Sequence, residues 1–150
     1  MNFERFIKNN LVKKQKPDFK QITDQLNRAK KDLHTAASIS SIDLTWSFAI
    51  AYHAMIRAGK ALMFSQGYLP TAKQSHKTIV EITSLILGTE YETLINRFNR
   101  MRRRRHDFIY DAINQITGSE VKAAIDTAKK LIDNIADRIK QENPQLELFK

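Results

Sequence analysis

Between Asp43 and Gly67 the chain is apolar on most sides of a helical wheel, with Leu44, Trp46, Phe48, Ile50, Tyr52, Met55, Ile56, Leu62 and Met63 spread around it. A helix that is hydrophobic all round cannot sit at the edge of a protein and has to be enclosed by other elements. Asp43 suits the N-cap, and Gly67 with Pro70 stops the helix near Gln66. The rest of the chain is therefore expected to wrap this one segment.

The wrapping elements also read as helices. Four glycines and three prolines in 150 residues leave little turn chemistry, and no stretch alternates as a half-buried strand would. From Asp18 to about Ser38, Phe19, Ile22, Leu26, Ala29, Leu33 and Ala36 form one apolar stripe. A shorter helix is expected from about Ser75 to Leu87, ending at Gly88. Thr89 and Glu92 have capping-box spacing and are expected to start a helix that continues to about Gln115. After Gly118, Val121, Ala124, Ile125, Ala128, Ile132, Ile135 and Ile139 mark a last helix to about Gln141. The expectation is an all-α, antiparallel up-and-down bundle of four to five main helices, one domain over 1–150. Residues 1–16 would hold a short opening helix (2–13) and a basic connector, Lys13-Lys14-Gln15-Lys16-Pro17. Residues 143–150 would be a short tail, whose Leu146-Glu147-Leu148-Phe149 is apolar enough to dock on its own domain or on a partner.

The absence of cysteine excludes disulfides and thiolate metal sites. No apolar run reaches membrane-spanning length, and Met1-Asn2-Phe3-Glu4-Arg5 lacks the plan of a signal peptide, so a cytoplasmic protein without membrane partners is expected. A net charge of +9 favours a polyanionic partner: nucleic acid, a nucleotide or an acidic protein.

Much of that charge is concentrated. Arg97, Arg100, Arg102, Arg103, Arg104 and Arg105 fall within nine residues, interleaved with Leu94, Ile95, Phe98, Met101, Phe108 and Ile109 at helical spacing. The wheel puts Arg97, Arg100, Arg103 and Arg104 away from the apolar stripe, where they suit phosphate contacts or a solvated face. Arg102 and Arg105 land inside the stripe, where an unpaired guanidinium would cost several kcal/mol. They must pair with something buried, or the stripe is a cleft or an interface. A symmetric homodimer built on this helix would satisfy them.

His34, His53, His76 and His106 are scattered without metal-ligand spacing, and there is no glycine-rich phosphate loop or serine-nucleophile elbow, so neither metal nor cofactor is expected. Metal-free phosphate chemistry remains. RNA cleavage needs a base for the 2′-hydroxyl and cations for the charge developing on phosphorus oxygens. Arginine clamps two phosphate oxygens, and histidine titrates in the right range. Arg102 and His106 project to one helix side beside Arg105, with Tyr110 at its far edge. His53, Arg57 and Lys60 line up on the otherwise apolar central helix, as a wet edge or as a basic patch. His76 and Lys77 lie in a loop or first turn, Lys73-Gln74-Ser75-His76-Lys77, where a capping or surface role is the plain reading and contact with nucleic acid the functional one.

Ala51-Tyr52-His53-Ala54-Met55-Ile56-Arg57-Ala58-Gly59-Lys60-Ala61-Leu62, then Gln66-Gly67-Tyr68-Leu69-Pro70 and Ser75-His76-Lys77, resembles the HEPN superfamily (higher eukaryotes and prokaryotes nucleotide-binding domains). So does Arg102-Arg103-Arg104-Arg105-His106-Asp107-Phe108-Ile109-Tyr110-Asp111. The likeness runs from the helix at Asp18 to the end of the arginine helix. It implies a helical bundle that dimerises around a shared basic cleft, and a metal-independent endoribonuclease of toxin–antitoxin, phage-defence or RNA-processing systems.

The family's hallmark is an arginine followed, after four to six residues, by a histidine, often with a polar residue directly after the arginine. Arg100 and His106 fit the loose form. In a tighter register Arg105 is the motif arginine, His106 the polar residue, and Tyr110 replaces the later histidine. Tyrosine, with a reference pKa near 10, is a poor general base at neutral pH. The resemblance thus also implies an alternative: a non-catalytic module that binds nucleic acid, a nucleotide or a nucleotidyltransferase antitoxin through the same cleft, with Tyr110 as a modification site.

Overall fold

The computed structural model of the chain describes residues 3–110 and 115–148, with side chains at 109 and 110 excepted. Its elements run α1 (Glu4–Lys8), β1 (Val12–Lys14), α2 (Phe19–Ile39), α3 (Leu44–Ser65), β2 (Tyr68–Pro70), α4 (Ser75–Leu87), α5 (Glu92–Tyr110) and α6 (Gly118–Glu142). The architecture is the expected all-α bundle, with α3 in contact with α2, α4, α5 and α6.

Local chemistry sets the long elements. Asp18 caps α2 by accepting from the N–H groups of Lys20 and Gln21, and Asp43 caps α3 through Trp46. α2 buries Ile22, Leu26, Ala29 and Ala36, whereas α3 buries Phe48, Tyr52, Met55, Leu62 and Met63 among others, on most of its circumference. Its first turn is the exception. Leu44 and Trp46 are exposed there. The Ser47 hydroxyl, fully buried, donates to the Ala36 carbonyl at 2.6 Å and joins α2 to α3.

Four expectations are corrected. The opening helix is only Glu4–Lys8, and part of the basic connector is strand: Val12, Lys13 and Lys14 pair antiparallel with Pro70, Leu69 and Tyr68. Strands of three residues are too short for an alternating pattern to declare them. Thr89 does not cap the arginine helix; Thr89–Tyr91 is a turn of tighter 3-10 helix after Gly88 (φ +96°), and α5 begins at Glu92. Gln115 is not helical, and residues 111–114 lie outside the described set. The capping box belongs instead to α6, where Thr117 and Glu120 exchange bonds through each other's backbone N–H. After α6, Leu146 and Leu148 pack against the core, and the Lys140 ammonium donates to the Pro144 and Leu146 carbonyls, so this part of the tail docks on its own chain. Phe149 is outside the described residues.

Gly59 lets α3 and α4 approach closely. A Cβ there would lie 2.6 Å from the Ile79 Cγ2 methyl and 2.9 Å from the Thr83 hydroxyl. The methyl of a β-branched residue cannot swing away cheaply. Gly59→Ala should therefore destabilise the fold by about 1–3 kcal/mol through overpacking, despite alanine's better helix propensity. Urea denaturation should show a lower midpoint with an unchanged m-value.

Candidate functional site

Tyr52 gathers residues from three helices. It is fully buried on α3, and its hydroxyl lies 3.0 Å from Nδ1 of His76, in the first turn of α4. Its ring centroid is 5.6 Å from the imidazole and 6.1 Å from the ring of Phe98 on α5. The Arg105 guanidinium lies over the same ring, 5.7 Å from its centroid. The inward arginine thus meets a π face and a polar rim rather than bare core.

Burial pushes the Tyr52 phenol well above its usual range, with Arg105 and Arg102 pulling the other way, so it stays protonated at neutral pH. A buried phenol needs an acceptor for its proton. With Nδ1 of His76 as that acceptor, the neutral imidazole carries its own proton on Nε2. His76 titrates below its ordinary value because burial disfavours the imidazolium and Arg105, His53 and Arg102 repel it. His53, one residue along α3 and exposed on its outer edge, is also lowered, first by partial burial of the ring and then by Arg57, against a weaker opposite pull from Asp32. An Arg57 Nη2 lies 3.4 Å from His53 Nε2. Arginine can only donate, so that contact keeps the Nε2 lone pair unprotonated.

Arg57 itself is committed. Nη1 donates to Gln25 at 2.6 Å, and Nε makes a 3.3 Å ion pair with Asp32 that lacks hydrogen-bond alignment. Asp32 is buried and also accepts from Arg28 Nε at 3.0 Å. Lys60 continues the edge, exposed, one turn further on.

The other sequence-predicted residues separate onto two flanks of α5. Arg102 donates to Asn99 at 3.0 Å and, with Lys77, Arg103 and Arg5, lines a groove of about 370 Å³ between α4 and α5. Arg97, Arg100, Arg103 and Arg104 line a larger one, about 680 Å³, against α6 over a floor that includes Phe48 and Met101. Within it Arg104 departs from the wheel's outer set. It is half-buried and donates to Glu120 at 2.7 and 3.2 Å and to the Gln115 carbonyl at 2.8 Å. Arg104 in turn holds the Glu120 carboxyl below the usual range. His106 is exposed, and what was expected of the Tyr110 side chain lies outside the described residues.

Sequence reasoning missed Tyr52 as more than core, Asp32 and Gln25 as anchors of Arg57, Glu120 as the partner of Arg104, and Arg5. Only the Arg28–Asp32 spacing carried a local signal. Arg102 and Arg105 are each met within one chain, so a dimer is not needed to satisfy them.

A helical bundle that brings His76 and Arg105 to the buried Tyr52, with His53 and Arg102 close enough to act on this group electrostatically, is the class of protein the fold and site define. The family model of the HEPN domain matches residues 22–139, from α2 through α6, and the chain belongs to that family. No curated protein and no solved structure matches it. Among the described residues no helix is long and apolar enough to cross a membrane.

Two measurements check this geometry. His53 and His76 have folded pKa values below the unfolded value near 6.5, so in that window the unfolded chain binds the extra protons. Their contribution to stability is full above about pH 6.5 and is lost as pH falls toward the folded pKa. His76→Gln should flatten part of that acid-side loss in thermal midpoint, and Arg105→Ala should raise the His76 midpoint in an NMR titration. Separately, Arg104→Ala should cost on the order of 1 kcal/mol in chemical denaturation, against a change within about 0.5 kcal/mol for exposed Arg103→Ala.

Proposed function

We propose that this HEPN protein is a metal-independent endoribonuclease of the cytoplasm, with its site at the Tyr52, His53, His76, Arg105 cluster. The observation that carries the reading is the meeting of His76 and the permanently charged Arg105 on one buried phenol, with His53 on the adjoining edge of α3. Arg105, with Arg102 beside it, clamps the scissile phosphate. His53 Nε2, once the bound phosphate draws Arg57 off its 3.4 Å contact, takes the proton of the 2′-hydroxyl, and His76 Nε2–H donates to a phosphate oxygen. The 2′-oxygen attacks phosphorus as the bond to the 5′-oxygen breaks, the departing 5′-oxygen takes a proton from water, and His53 returns its own proton to solvent. The products are a 2′,3′-cyclic phosphate and a 5′-hydroxyl end. Arg97, Arg100, Arg103, Lys77 and Lys60 add exposed charge along the flanks. Homodimerisation around a shared cleft, and service in a toxin–antitoxin or phage-defence system beside a nucleotidyltransferase antitoxin, are what family membership adds to this reading.

A binding-only module is the second reading, and one feature favours it. Both histidines are lowered rather than raised, and Asp32, the carboxylate that would strengthen His53, is held by two arginines.

Purified protein with labelled RNA in EDTA separates the two. Cleavage to cyclic-phosphate ends is expected, abolished by Arg105→Ala and lowered about a hundredfold or more by His53→Ala. If His106→Ala alone removes activity, the proton passes through His106 and the cluster is misassigned. Binding without any cleavage leaves the module reading.

A further inference from the structure

The outer edge of α3 carries more than the histidine and arginine. Trp46, Ile50, His53 and Arg57 follow at three- and four-residue steps and share one face. Trp46 stands two helical turns before His53, about 10 Å along the axis. It is 61% exposed, and Ile42 just ahead of the helix is 82% exposed. The end of α5 abuts this end of α3, since the Phe108 ring meets Phe48 edge-on at 5.7 Å and Arg105 lies over Tyr52. An indole with most of its surface in water, on the same edge as a phosphate-handling cluster, is not accounted for by core packing.

We infer that Trp46 is a stacking platform for an unpaired base of a single-stranded RNA whose backbone passes along α3 to His53 and Arg105. This rests on the proposed nuclease function and adds a base subsite to its phosphate site. Charge complementarity selects the occupant. Lys60 continues the edge, Arg105 lies close enough to act on His53, and Asp43, three residues before the indole, is used in capping, accepting from the Trp46 N–H at 2.9 Å. A polyanion neutralises these cations and offers a π face to the indole. Bases in a duplex are covered by their neighbours, so the platform selects for single strands rather than for sequence.

Trp46 is the chain's one tryptophan, so its emission reads the subsite directly. The full chain is titrated with a labelled 2′-O-methyl oligouridylate, which it cannot cleave, and with the same strand annealed to its complement. The expected result is a saturable quench of Trp46 emission that follows the rise in label anisotropy, for the single strand and not for the duplex. Trp46→Ala should weaken single-strand binding about tenfold, and Trp46→Phe by less. Binding by anisotropy with emission unmoved and Trp46→Ala unaffected overturns the subsite and leaves the nuclease site standing. No binding to the native chain overturns the phosphate site, and the subsite with it. Emission that shifts to the blue with protein concentration alone shows the indole buried against a second copy, which also overturns the inference. The quenching arm needs no variant, so a poorly folded Trp46→Ala does not blunt the test.

Discussion

The enclosure of α3 governs the rest of this structure. A helix with apolar residues around most of its circumference has one low-energy position, surrounded, and α2, α4, α5 and α6 all lie against it. Beyond the exposed first turn only a narrow outer edge is left to water, and it carries the basic side chains of the helix: His53, Arg57 and Lys60. Tyr52 sits just inside the boundary. The close approach of α4 at Gly59 then decides which residue meets its hydroxyl, since it is α4 whose first turn delivers His76. Packing and site assembly are therefore one constraint.

The electrostatics of the cluster run opposite to those of a histidine paired with a carboxylate. Partial burial and neighbouring arginines both push the imidazoles toward the neutral form, and Asp32 is already shared between Arg28 and Arg57. Guanidinium groups remain charged throughout the accessible pH range. The result is a site with fixed positive charge and uncharged nitrogen bases. Bound phosphate would offset the repulsion from Arg105 and raise the basicity of both histidines. An anionic ligand would thus draw protons onto the same side chains that handle it, coupling occupancy to protonation.

The fold was legible where the hydrophobic period extends over several turns, and this explains both what was read and what was not. The stripes of α2 and α6, the all-round burial of α3 and the stops at Gly67 and Gly88 needed only local pattern. β1 and β2 were not legible because three residues carry no period, and their pairing joins Val12 to Pro70 across the chain. In the site, the inward projection of Arg105 followed from helix geometry alone. That it would lie over the tyrosine whose hydroxyl meets His76 did not. Tyr52 is indistinguishable in sequence from a core aromatic, and His76 from a surface residue, until α3 and α4 are packed together. Glu120 pairs with Arg104 from another helix, and no spacing rule reaches across that gap.

The arginine run shows how finely angle divides one residue type. Successive residues on a helix turn by about 100°, so neighbours in sequence face different surroundings. Arg103 points to solvent, Arg104 turns to Glu120 and the start of α6, and Arg105 turns inward over Tyr52. The middle one fastens α5 to α6 through the group that also completes the Thr117 capping box. That fastening holds the flank of the helix from which Arg105 reaches Tyr52. A structural arginine next to a functional one is thus part of how the site is positioned, and removing it should loosen the geometry of Arg105 without touching any ligand.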